Sequence, residues 1–69
     1  MKYRIEVKDV KAYWKLLHEL EAWRIHADKY KQYYYGSINI IYTSDNNVVD
    51  VARETFINSS DSIEIKMAY

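Results

Sequence analysis

The sequence predicts a small two-layer α+β (or α/β) domain of order β-α-β-α-β, with a three-stranded sheet, one long helix and one short helix. Three observations lead there. Residues 2–8 alternate polar and apolar side chains, residues 10–34 repeat theirs at helical spacing, and two later apolar runs are set off by clusters of turn residues. At 69 residues the chain forms one domain, 1–69, because two cores cannot be built from so little. A hydrophobic share of 49% against 29% charged is enough to drive folding.

In KYRIEVK, residues 2–8, Tyr3, Ile5 and Val7 point one way and Lys2, Arg4, Glu6 and Lys8 the other, the pattern of a strand with one wet face. Asp9 follows where a helix N-cap belongs. From Val10 to about Tyr34, the residues Tyr13, Leu16, Leu20, Trp23, Ala27, Tyr30 and Tyr34 recur at steps of three and four. Trp14 and Leu17 flank that stripe. A helix of this span is about 37 Å long, enough to project beyond a small sheet toward another subunit. Gly36, the only glycine, falls where a left-handed C-cap residue is expected.

Residues 37–43, SINIIYT, read as a strand with Ile38, Ile40 and Tyr42 on one face. Ile41 makes the other face apolar as well, as in a central or covered strand. Ser44–Asn47 is a turn cluster. Residues 48–57 read as a short helix capped at Asn46 or Asn47, because Val48, Ala52 and Phe56 are spaced by four and Asp50, Arg53 and Glu54 sit between them. If those residues are a strand instead, the order becomes β-α-β-β-β. After a second turn at 58–61, Ser62–Tyr69 is the last strand, with Ile63, Ile65 and Met67 inward. Both connections are long enough for parallel pairing with right-handed crossovers, which would put the two helices on one face.

Composition excludes several functions. Without cysteine there is no disulfide, thiolate metal site or cysteine nucleophile, and one glycine cannot make a phosphate-binding loop. No apolar run approaches 18 residues and the first ten contain no hydrophobic leader, so a cytoplasmic protein without a membrane partner is expected. His18-Glu19 lacks the second histidine of a zinc-protease helix, since position 22 is Ala22. His18 and His26 would lie about 12 Å apart along a helix, too far to share a metal. No serine stands in a Gly-x-Ser-x-Gly elbow, and Asp45, Asp50, Glu54 and Asp61 have ordinary turn and helix-start positions. The expectation is a non-enzyme without metal or cofactor.

The tyrosines are informative. There are eight, and with Trp14, Trp23 and Phe56 they bring the aromatic share to 16%. Tyr33, Tyr34 and Tyr35 would point around most of a helix, so one sheet cannot bury all three. Rings left over by a core are the material of protein interfaces. Charge is also divided: residues 1–35 hold eight basic and five acidic groups, while residues 36–69 hold two and five, in a chain of zero net charge. Such asymmetry suits attraction between subunits, and the neutral total argues against a nucleic-acid protein.

The expected function is therefore a small non-enzymatic, homo-oligomeric binding or inhibitor protein, a homodimer or larger, that also meets another protein. Its candidate contacts are Tyr33, Tyr34, Tyr35, Trp14, Arg24 and Lys31. In size, composition and lack of catalytic motifs the chain resembles the small inhibitor and accessory proteins of phages and mobile elements, which implies a host or defence factor as target. The alternative is a nucleotide or small-ligand sequestering protein, with Tyr30 stacking on a base and Lys29, Arg24 and Arg53 meeting phosphates in pockets between subunits. Lys29-Tyr30-Lys31-Gln32-Tyr33, which interleaves cations and rings, keeps a nucleic acid or nucleotide among the candidate partners.

Overall fold

The computed structural model describes residues 2–67. Its elements are β1 (Tyr3–Val7), α1 (Val10–Ala22), β2 (Tyr30–Tyr35), β3 (Ile38–Thr43), α2 (Asn46–Thr55) and β4 (Ile63–Met67). Short 3-10 turns at Ala27–Lys29 and Ser60–Ser62 lead into β2 and β4. The sheet order is β2-β3-β1-β4 and every neighbouring pair is antiparallel. The fold is α+β as expected, with four strands rather than three and the order β-α-β-β-α-β.

No neighbouring strands pair in parallel, contrary to the expectation. β1 and β2 run parallel but are separated by β3, and β3 and β4 run parallel but are separated by β1. Two split β-α-β units thus interlock, each filling the gap of the other, in the ferredoxin-like arrangement. Helices α1 and α2 pack on each other and on one face of the sheet.

The larger correction is the long helix, which stops at Ala22. Its start is the expected one: the Asp9 carboxylate accepts a 2.8 Å hydrogen bond from the Ala12 N–H. Its end is a Schellman turn. The Ile25 N–H donates to the Leu20 carbonyl at 3.0 Å and the Arg24 N–H to the Glu21 carbonyl at 2.9 Å. Arg24 occupies the left-handed position of that turn at φ 59°, where glycine is usual, and Ile25 folds back onto the core beside Leu20. Arg24→Gly removes the steric cost of a side chain in this conformation. It should raise stability by about 0.5–1 kcal/mol, an upward shift of a few degrees in Tm measured by circular dichroism.

The helical stripe therefore holds through Leu20 and then fails. Ala12, Tyr13, Leu16 and Leu20 are buried, whereas Trp23 and Tyr34 are exposed. Residues 30–35 instead form an edge strand, joined to β3 through the two-residue loop Gly36-Ser37. Gly36 has φ 62° and Ser37 lies outside the left-handed region, the pattern of a II′ turn, whose twist matches a hairpin. Gly36 is thus a hairpin glycine and not a helix cap.

The second helix is found where the sequence places it, capped by Asp45 rather than Asn46 or Asn47. The Asp45 carboxylate accepts from the Asn47 N–H at 2.8 Å. In β4, Ile63 and Ile65 are half-buried against the core, Met67 is exposed, and Ala68 and Tyr69 lie outside the described residues. The core comprises Ile5, Val7 and Ile41 from the sheet, α1's inner face, and Val48, Val51, Ala52 and Phe56 from the second helix and its end. No helix among the described residues is long and apolar enough to cross a membrane.

Candidate functional site

Residues directly opposite in an antiparallel ladder share a face, so the register sorts every strand residue. Tyr3, Ile5 and Val7 face the helices, together with Asn39, Ile41 and Thr43 of β3 and Tyr30, Gln32 and Tyr34 of β2. The opposite, uncovered face carries Arg4, Glu6, Ile38, Ile40, Tyr42, Lys31, Tyr33 and Tyr35, with Glu64 and Lys66 at its far edge.

β2 is the outer strand at one edge. Apart from half-buried Tyr30, all its residues are exposed: Tyr33 by 51%, Tyr34 by 70% and Tyr35 by 76%. Tyrosine has a high strand propensity and low cost on a half-covered surface, which is why this run takes the strand form once the Gly36 turn is available. The beginning of the strand is held by Thr43, whose hydroxyl donates to the Lys29 carbonyl at 2.7 Å.

On the uncovered face the rings are ordered by their neighbours. Tyr33 meets Tyr42 edge to face at 5.3 Å and 83°. Arg4 donates from Nη1 to the Tyr42 hydroxyl at 3.2 Å, and its guanidinium lies 5.8 Å from the ring centre. Arg4 Nε sits 2.9 Å from Glu6 Oε2, yet its hydrogen is not directed at that oxygen, so the contact is Coulombic rather than a formed hydrogen bond. Lys66 reaches the same carboxylate at 3.4 Å. These ion pairs are partly solvated and add at most about 1 kcal/mol each, so their main effect is to fix Tyr42 under Tyr33. Ile40 lies between Tyr33 and Glu6 on this face and is only 2% exposed, though it stands apart from the helix-side core.

On the helix side a groove of about 800 Å³ runs between α1 and β2. Trp14, Leu17 and Arg24 form one wall and Tyr30 and Gln32 the other, with Glu21 and His26 also on its border. Burial, and then the Glu21 carboxylate, hold the Tyr30 phenol above its usual value of 10.0. Burial, and then repulsion from an ionised Tyr30, raise Tyr13 in the same direction.

The expected contact residues fall into two groups separated by the thickness of the strand. Tyr33, Tyr35 and Lys31 share the uncovered face, whereas Tyr34 is on the side of the Trp14–Arg24 groove. The alternative ligand set does not converge within one chain. Arg24 and Tyr30 line the groove and Lys29 precedes Tyr30 in sequence, but Arg53 borders a different cavity of about 440 Å³, with Phe56, Ile63 and Ile65, near the β4 edge. Arg4, Ile40, Tyr42 and Gln32 belong to these surfaces and were not singled out by sequence. Their signal is the hairpin pattern YYY-GS-INI, from which the shared face follows by counting. No group of three His, Asp or Glu among the described residues could hold a metal ion. No protein-family model matches this chain, and neither a curated protein nor a solved structure matches it significantly.

Proposed function

We propose that this chain is a small cytoplasmic, non-enzymatic binding protein that self-associates and occludes or inhibits a larger protein through its tyrosine-rich edge. The observation that supports this most directly is β2. Three consecutive tyrosines are at least half exposed on an edge strand, and the core is complete without them. Tyrosine buries large area with few rotors while its hydroxyl remains free to pair, which makes such rings effective at protein contacts. The cation within the strand, Lys31, favours a partner surface with carboxylates or carbonyl oxygens. Its resemblance in size and composition to accessory proteins of phages and mobile elements suggests a host or defence factor as that larger partner.

The test is the double variant Tyr33→Ala/Tyr35→Ala. Both side chains lie on the uncovered face and outside the core, so the fold should survive with a stability loss of about 1–2 kcal/mol, most of it from the edge contact of Tyr33 with Tyr42. Molar mass by light scattering, and recovery of the bound cellular protein from matched pull-downs, should both fall. An unchanged mass together with unchanged partner recovery, in a folded variant, refutes the aromatic-interface reading.

One observation favours a second reading, a nucleotide or small-ligand binder. The α1–β2 groove brings Trp14, Arg24 and Tyr30 to a single concave surface of suitable size. Calorimetry against mono-, cyclic and dinucleotides separates the two readings. Heat that disappears in Trp14→Ala supports the groove, and silence with all of them removes it.

A further inference from the structure

We infer that β2 pairs antiparallel with β2 of a second copy about a two-fold axis at Gln32, giving one continuous eight-stranded sheet. This deepens the aromatic-interface reading and rests on it. The two-residue turn is closed by the Tyr35–Ile38 pair, so the odd residues of β2 direct their backbone groups toward β3. The N–H and C=O groups of Tyr30, Gln32 and Tyr34 therefore point away from the sheet along an open edge. That edge is lightly guarded: β2 has six residues, no proline, and one blunting charge, Lys31. The other edge strand, β4, is shorter and carries Glu64 and Lys66.

Only registers that set even residues against even ones satisfy both strands. A two-fold at Gln32 opposes Tyr30 to the partner's Tyr34, Gln32 to the partner's Gln32, and Tyr34 to the partner's Tyr30. All three outward pairs then exchange two backbone hydrogen bonds each. On the uncovered face the same register sets Lys31 against the partner's Tyr33, a cation beside a ring, and opposes no like charges. An axis at Lys31 would confront two ammonium groups. An axis at Tyr33 would place Tyr30 against the turn and leave only two bonded pairs.

The contact is small. The exposed parts of Tyr33, Tyr34 and Tyr35 in two copies amount to about 800 Å², of which pairing at the edge covers only the flanks, so the interface is held mainly by its backbone hydrogen bonds and falls in the size class of weak, concentration-dependent dimers below about 1,200 Å². The pairing also completes the groove. The partner's Tyr34 stands opposite Tyr30, which lines that groove, so each groove gains a ring from the other subunit.

Because the chain has no cysteine, one substitution reports the register. Across the axis the two Cα atoms at position 32 are about 5.5 Å apart, inside the disulfide range of about 4.4–6.8 Å. Positions 34 and 34 of the two copies, offset by four residues along the strands and one strand spacing across them, are about 14 Å apart. Gln32→Cys should therefore cross-link many times faster with oxidised glutathione than Tyr34→Cys, even though a hydrogen-bonded pair must close slightly to form the bond. The unsubstituted chain should have twice the monomer mass of 8.3 kDa in solution. Gln32→Pro, which removes an outward N–H and no bond within the chain, should return it to 8.3 kDa with an unchanged circular dichroism spectrum. Monomeric mass of the unsubstituted chain at every concentration, or equal cross-linking at 32 and 34, overturns the pairing. A dimer that survives Gln32→Pro but dissociates in Tyr33→Ala/Tyr35→Ala also overturns it, while the aromatic-interface reading stands.

Discussion

Leu20→Ala should cost about 3–4 kcal/mol, whereas Trp23→Ala, one step along the same sequence stripe, should cost about 1 kcal/mol or less. Leu20 is fully buried and is the residue against which Ile25 folds at the end of α1, so truncation leaves a cavity and loosens the Schellman turn. Trp23 is 63% exposed and lies past the last helical residue. A domain of 69 residues has a total stability on the order of 3–10 kcal/mol, so Leu20→Ala removes a third or more of it. Urea titration gives the comparison directly, as a large fall in midpoint for one variant and a small one for the other. Equal losses would mean that the helix continues through Trp23 as the periodicity alone suggests.

That contrast marks where the sequence is legible. β1, the Asp9 cap, the inner face of α1 to Leu20, the central β3 with its two apolar faces, and the second helix can all be read from period and turn chemistry. The failure covers residues 23–35, and its cause is physical. Trp23, Ala27, Tyr30 and Tyr34 continue a spacing of three and four by coincidence, because residues of a strand edge are under no demand to alternate in polarity. The break is made by Arg24, a residue with no sequence preference for the left-handed conformation it adopts. What could have revealed β2 is the Gly-Ser pair between a tyrosine run and an isoleucine run, a hairpin signature that competes with the C-cap meaning of the same glycine.

The misread segment is also the candidate site. As a helix, residues 33–35 would have spread their rings around an axis. As a strand, they place two on the uncovered face and one on the groove side, at an edge where backbone groups are open. The expectation that one surface could not cover all three rings therefore stands for a different geometric reason. Arg24, expected as a contact or phosphate-binding residue, has a structural task at the helix end as well as a place in the groove wall. Arg24→Gly separates the two, since it should stabilise the fold while removing the groove's guanidinium.

Position 43 carries the second large effect. Thr43 is fully buried at the end of β3, and its hydroxyl performs two tasks. It donates to the Lys29 carbonyl at 2.7 Å, fixing the entry of β2, and accepts from the Asp45 N–H at 3.0 Å, fixing the start of α2. Thr43→Val has nearly the same shape but satisfies neither group, so two part-buried backbone groups lose their partner. At about 1–1.5 kcal/mol for each, the loss should total about 2–3 kcal/mol, more than the few tenths expected from the altered side chain alone. Thr43→Ser keeps both bonds and loses one methyl group, so it should cost about 1 kcal/mol. Hydrogen exchange adds the spatial reading: in Thr43→Val, protection should fall first at residues 29–31 and in the first turn of α2, because those segments are tied together by this one oxygen. If Val and Ser behave alike in the urea titration, the hydroxyl is not the joint between the candidate edge and the rest of the fold.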